Sequence, residues 1–151
     1  GIYGFQSTAL VEQAVREWNL PQVELNIHTP DCRPIPLNAV GDELRRSSMA
    51  LVLTNPNAKG MMTTKFFEAL GCEKPILCTP SDNGLLTKTI RDTNAGLASS
   101  DMDEIKAFIL EKYHEWQQNG FTRQAVINKE QFSRQQQAQQ FEQLFMQCSK
   151  R

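Results

Sequence analysis

Short aliphatic runs alternate with amphipathic stretches along this chain, and that alternation constrains the fold more than any single motif. Residues 50–54 are apolar at nearly every position, the pattern of a strand buried on both faces. Pro75-Ile76-Leu77-Cys78-Thr79 and the shorter Ala95-Gly96-Leu97-Ala98 read as further strands. Between the first two lies a helix capped by Thr63 or Thr64, burying Phe66, Phe67, Ala69 and Leu70 and ending at Gly71 or Cys72. A second helix, at about 85–91, follows the turn-rich 80–84 loop. Strands separated by helices in this order predict a parallel sheet with helices on its faces, a three-layer α/β/α domain.

The flanks extend the pattern. Ser7 can cap a helix whose apolar positions Leu10, Val11, Ala14, Val15 and Trp18 recur at helical spacing before Pro21 stops it. Val23, Leu25 and Ile27 alternate as a strand. Pro30, Pro34 and Pro36 then exclude a helix over 29–38, which reads as loop or edge, and a short helix follows over 42–46. Asp101, with Glu104 three positions on, opens as a capping box a helix that carries Ile105, Phe108, Ile109, Tyr113 and Trp116 to Asn119-Gly120. Phe132, Phe141, Leu144, Phe145 and Cys148 recur at helical intervals in a glutamine-rich tail, predicting a terminal amphipathic helix.

Length, charge and cysteines narrow the class. The 151 residues suit one domain. Sixteen Lys and Arg against seventeen Asp and Glu give a net charge of −1, so no global positive field attracts nucleic acid or an anionic bilayer. Any phosphate recognition must be local. The longest apolar run, Met49-Ala50-Leu51-Val52-Leu53, is far short of the roughly 20 residues that span a bilayer, and no signal segment opens the chain. A cytoplasmic location is expected. Cys32, Cys72, Cys78 and Cys148 lack C-x-x-C or zinc-ligand spacing with His28 and His114 and read as reduced, packing thiols. The start at Gly1, without an initiator Met, suggests an excised fragment.

The chemistry concentrates in the stretch from Lys59 to Leu77, which leaves a buried strand and opens a helix, where open α/β sheets bind ligands. Helix-start N–H groups, the positive end of the macrodipole, Lys59 and Lys65 together suit a diphosphate. Gly60 lets a ligand approach the backbone, the Thr63 and Thr64 hydroxyls are further donors, and the Glu68 carboxylate could accept from the vicinal hydroxyls of a ribose. The plain alternative is a capped helix with a solvated Lys65 and a surface acid at Glu68.

The stretch Gly60-Met61-Met62-Thr63-Thr64-Lys65-Phe66-Phe67-Glu68-Ala69-Leu70-Gly71-Cys72-Glu73-Lys74-Pro75-Ile76-Leu77 resembles the nucleotide-sugar site of retaining group 1 glycosyltransferases of the two-domain B-type fold. Bacterial members carry there a G-x-x-T-x-K-x-F-E-Y-L-A-x-x-K-P-I-L pattern. The likeness continues through Thr93-Asn94-Ala95-Gly96-Leu97, Tyr113-His114-Glu115-Trp116 and the tail from Phe132 to Phe141, and Gly1-Ile2-Tyr3-Gly4 resembles the end of the family's glycine-bearing first loop. It implies a Rossmann-like, doubly wound sheet and a carboxy-terminal donor-binding domain over 1–151, with the acceptor-binding domain on an absent amino-terminal half.

The resemblance further implies a UDP- or GDP-sugar donor, transfer of a hexose to an acceptor hydroxyl with retention, and a place in bacterial polysaccharide biosynthesis. Lys65 and Lys59 would stabilise the departing diphosphate, Glu68 would hold the ribose, and Gly60, Thr63, Thr64, Asn83, Gly84 and Gly4 would line the donor site. No cofactor or metal is required by the residues seen, and peripheral membrane association would come through the missing half. The chain departs from the family at Gly60, where many members have a first glutamate, and at Gln6, where they commonly have a base. The 30–36 loop is abbreviated where relatives carry another strand and part of the base pocket. The isolated domain is expected to transfer little.

Local alternatives stand beside these roles. Asn83-Gly84 is equally a tight turn. Phe66 and Phe67 suit core packing better than base stacking, and Met61 and Met62 either line a pocket or seat the loop. His28 reads as structural and His114 as surface. Phe132 or Phe141 would face a partner. The rival to an enzyme is a non-catalytic Rossmann-like interaction or assembly domain derived from a glycosyltransferase.

Overall fold

The computed structural model describes residues 7–18, 20, 22–28, 32–57 and 59–149. Their order is α1 (Ala9–Trp18), a 3-10 turn (Leu37–Ala39), α2 (Val40–Arg46), β1 (Ala50–Leu53), α3 (Thr64–Gly71), β2 (Ile76–Thr79), α4 (Leu85–Asp92), β3 (Gly96–Ala98), α5 (Met102–Asn119), a second 3-10 turn (Lys129–Phe132) and α6 (Arg134–Cys148). The three strands form one parallel sheet in the order β1-β2-β3, with Ala50 opposite Ile76 and Ile76 opposite Gly96. The domain is a mixed α/β structure, and its sheet is joined by helices as the alternation requires.

Side chains of opposite parity on the strands enter different clusters. Ala50, Val52, Ile76 and Cys78 pack with Phe66, Ala69 and Leu70 of α3 and Leu86 and Ile90 of α4. Leu51, Leu77 and Leu97 instead meet Val11 and Ala14 of α1 and Ile105 and Ile109 of α5. Phe66, Ile76, Leu77, Leu86 and Ile105 are almost completely buried. No helix among the described residues is long and apolar enough to cross a membrane.

A strap over 122–129 runs past the amino ends of the strands. Thr122 Oγ1 donates to Ser48 O ahead of β1, Gln124 N to Glu73 O ahead of β2 (3.2 Å), and Ile127 N to Thr93 O ahead of β3 (2.9 Å). Arg123 and Lys129 both pair with the Glu73 carboxylate and hold it below the usual carboxylate range, Lys129 contributing most. The carboxyl ends of the strands are left for the candidate site.

Several expectations need correction. Val23, Leu25 and Ile27 form no strand; Val23 and Leu25 line a cavity of about 370 Å³ together with Met49 and Leu51 among others. Alternation selects a face, and Leu25 does pack into the α1–α5 cluster, but a ladder needs a partner within about 4.9 Å. Helical turns begin at Leu37, directly after Pro36, rather than at Asp42. Asp101 caps α5 by accepting from Asp103 N and Glu104 N, but Glu104 does not close the box. Its carboxylate takes the Ser99 hydroxyl, while Ser99 Oγ receives Asp101 N (2.9 Å), so a serine relays the bond.

Phe132 is no free partner surface: its ring stands edge-on to Phe66 at 6.1 Å and tilts against Phe67 at 5.7 Å. Phe66 and Phe67 are thereby engaged in core packing. The tail does form a helix, α6, whose Phe141, Leu144, Phe145 and Met146 are exposed. The four cysteines are free, and burial, with Asp82's charge adding to it, pushes the Cys78 thiol up to about 12.

Candidate functional site

The loop from Thr54 to Thr63 carries the chain from the carboxyl end of β1 to α3, and the loop from Pro80 to Gly84 does the same from β2 to α4. Thr54 Oγ1 donates to Pro80 O, tying the two loops where they leave the sheet. Farther out, Leu85 N donates to Lys59 O at 2.7 Å. A Cβ at Gly84 would lie 2.1 Å from that same oxygen and 2.6 Å from Lys59 Cα. Only glycine allows this approach, so the Lys59-Gly60 and Asn83-Gly84 segments, separate in sequence, form one corner.

Thr63, not Thr64, caps α3: its hydroxyl accepts from Lys65 N at 3.1 Å, and its carbonyl accepts from Phe66 N at 3.1 Å. Two of the amides expected to face a ligand are therefore already taken. The helix buries Phe66, Ala69 and Leu70 and leaves Thr64, Lys65, Glu68 and Gly71 exposed. Lys65 and Glu68, three residues apart, share one side of it. A Cβ at Gly60 would meet nothing within 4 Å, so the protein itself does not require glycine there. Met62 seats the loop on the core, whereas Met61 is exposed. Gly4 and Gln6 lie outside the described residues.

Charge at this corner is uncommitted. Lys88 pairs with Asp92, Lys106 with Glu17, Lys112 with Glu111 and Glu115, and Lys129 with Glu73. Lys59, Lys65 and Glu68 are exposed and take part in no ion pair among the described residues. His28 is half-buried with Nδ1 at 2.8 Å from Arg33 O, and His114 is exposed on α5. Neither belongs to the corner's hydrogen bonds.

Sequence reading missed Asp82. This carboxylate is 1% exposed and accepts from Gly84 N (3.1 Å), Leu86 N (3.2 Å) and Thr87 N (2.9 Å), as well as from the Thr87 hydroxyl. The available signal was an Asp two residues before the Gly84 that caps a helix, a spacing at which aspartate bonds to backbone N–H groups ahead of it. Asn83 beside it has a left-handed backbone (φ 46) and takes the Ser81 hydroxyl on its side-chain oxygen, the conformation of a tight turn.

Burial alone would push the Asp82 carboxyl up, but the hydrogen bonds from Thr87, Gly84 and Leu86 outweigh it and hold it below the usual range. A depressed carboxyl stabilises the fold above its unfolded value of about 3.9 and loses that contribution as pH falls through the folded value. Urea midpoints measured downward from about pH 6 are therefore expected to drop below about pH 4 in the wild type and to drop less in Asp82→Asn. Equal slopes for the two proteins would contradict this role.

Comparison with protein-family models, with curated proteins and with solved structures gives no match.

Proposed function

We propose that this chain is the donor-binding domain of a glycosyltransferase, binding a nucleoside-diphosphate sugar at the corner formed by Lys59-Gly60, the start of α3 and Asn83-Gly84. The observation that carries the reading is that Lys59, Lys65 and Glu68 remain exposed at this corner and take part in no ion pair among the described residues. On this reading the fold is Rossmann-like and doubly wound, with α3 and α4 on one face of the sheet and α1 and α5 on the other. The separate clusters of Val52 with Phe66 and of Leu51 with Val11 support it.

Lys65 and Lys59 meet the diphosphate, and the dipole of α3 adds to them. When the bond between the sugar carbon and the diphosphate oxygen breaks, its electron pair leaves with the diphosphate, where the two ammonium groups stabilise it. The acceptor hydroxyl oxygen forms the new bond to that sugar carbon, and its proton passes to the departing diphosphate oxygen. Glu68 takes the ribose hydroxyls, Thr63 and Thr64 border the donor, and the acceptor is held by a second domain.

The test is calorimetry with UDP and GDP. One of them is expected to bind, and Glu68→Ala to weaken binding at least about tenfold, since a hydrogen bond to a charged group contributes roughly 1.5–3 kcal/mol. Glu68 is exposed on α3, so the variant should keep the wild-type melting temperature. Unchanged affinity in Glu68→Ala would remove the ribose role. A second reading, a non-catalytic interaction or assembly domain, is favoured by Gly60 at the position of the family's first glutamate and by the exposed Phe141, Leu144, Phe145 and Met146 of α6. Silence from both nucleotides in the full-length protein would select it.

A further inference from the structure

We propose that Asp82 is a positioning residue of this corner: its buried carboxylate organises the first turn of α4 so that the backbone of Lys59, and hence the origin of the Lys59 side chain, is fixed. The inference rests on the nucleoside-diphosphate reading for its ligand, but not for its geometry.

Four consecutive amides open α4, and their partners divide in a revealing way. Gly84, Leu86 and Thr87 donate to Asp82, while Leu85, between them, donates to Lys59 O. The carboxylate shapes a turn that aims one amide out of the helix and into the neighbouring loop. Gly84, lacking a Cβ, lets that loop settle against it. Ser81 braces the same turn, sharing its hydroxyl with Thr87 Oγ1 at 2.8 Å and accepting Asn83 N at 3.1 Å. Thr54 Oγ1 on Pro80 O anchors the loop's base.

There is an electrostatic consequence. The N-terminal end of α4 would attract an anion, but Asp82 already supplies one internally. A ligand diphosphate is therefore left to Lys59, Lys65 and the start of α3. Removing Asp82 would orphan three amides, release the Leu85–Lys59 bond, and let the Lys59 side chain start from several places instead of one.

The test compares Asp82→Asn, Lys59→Ala and the double variant. Asparagine keeps the shape but loses the charge and cannot serve all the donors. In backbone NMR, Asp82→Asn is expected to shift the Lys59 and Gly60 amide signals and to speed Leu85 amide exchange at least about tenfold. The Kd for UDP or GDP should rise about tenfold in Asp82→Asn and no further when it is added to Lys59→Ala, because one acts through the other. Multiplicative losses in the double variant would mean a general structural role and overturn the proposal.

Unmoved Lys59 and Leu85 signals would overturn it as well. If the wild type bound neither nucleotide, the NMR readout would still decide whether Asp82 holds Lys59, and only the ligand reading would fall. Should Asp82→Asn not fold, Thr87→Val, which removes a single donor, is expected to show the same shifts at smaller size, and their absence would count against the proposal.

Discussion

Gly96→Ala is expected to cost roughly 3–5 kcal/mol, the sum of a forced positive-φ backbone and a clash in a packed core. Gly96 begins β3 at φ 151, a backbone that side-chain-bearing residues rarely adopt. A Cβ there would stand 2.0 Å from Ile76 O and 2.6 Å from Ile76 N, and neither atom can yield, since both belong to the central strand. Relief would require moving β3 off β2 and breaking the Ile76 to Ala95 bond (2.9 Å) beside it. Against a typical total of about 5–15 kcal/mol, the variant would be marginal at best. Urea unfolding followed by circular dichroism measures the loss, and a change below about 1 kcal/mol would contradict the placement of β3.

Phe66→Ala carries the second largest effect, about 3–5 kcal/mol for emptying a phenylalanine site in a core. Its ring is fully buried and stands edge-on to Phe67 at 5.2 Å and to Phe132 at 6.1 Å. Phe132 closes the strap that ends at α6, so the damage should spread along the chain. Beyond the fall in urea midpoint, limited trypsin digestion is expected to cut sooner at Lys129 and Arg134. A destabilised variant whose strap resists trypsin as well as the wild type would show that Phe132 is held by something else.

The strands and helices from β1 to α5 were legible because each obeys one local rule. Continuous apolar runs marked β1 and β2, threonine and aspartate marked the starts of α3 and α5, and Gly120, left-handed at φ 75, marked the end of α5. The misses arose where the deciding partner was remote. Val23–Ile27 has the right alternation, but alternation selects only a face, and a ladder also needs a hydrogen-bonded neighbouring strand, which this segment lacks among the described residues. Phe132 and Phe141 look alike in sequence, yet only Phe132 meets Phe66 and Phe67.

The candidate site divides in the same manner. Lys59, Lys65 and Glu68 were readable as charges near a helix start, and all three are exposed, as a binding site and a plain solvated helix face both require. The contact between Lys59 and Gly84 joins residues from two loops, and its cause, the Asp82 carboxylate under the first turn of α4, leaves only an ordinary turn in the sequence.

Backbone NMR of the ¹⁵N-labelled chain titrated with UDP and then GDP reads donor binding residue by residue. At least one nucleotide is expected to move the amide signals of Lys59, Gly60, Thr64, Lys65, Glu68 and Gly84 together, saturably, leaving α6 unmoved. Absence of any shift with both nucleotides, or shifts confined to residues away from this corner, would contradict the proposed function.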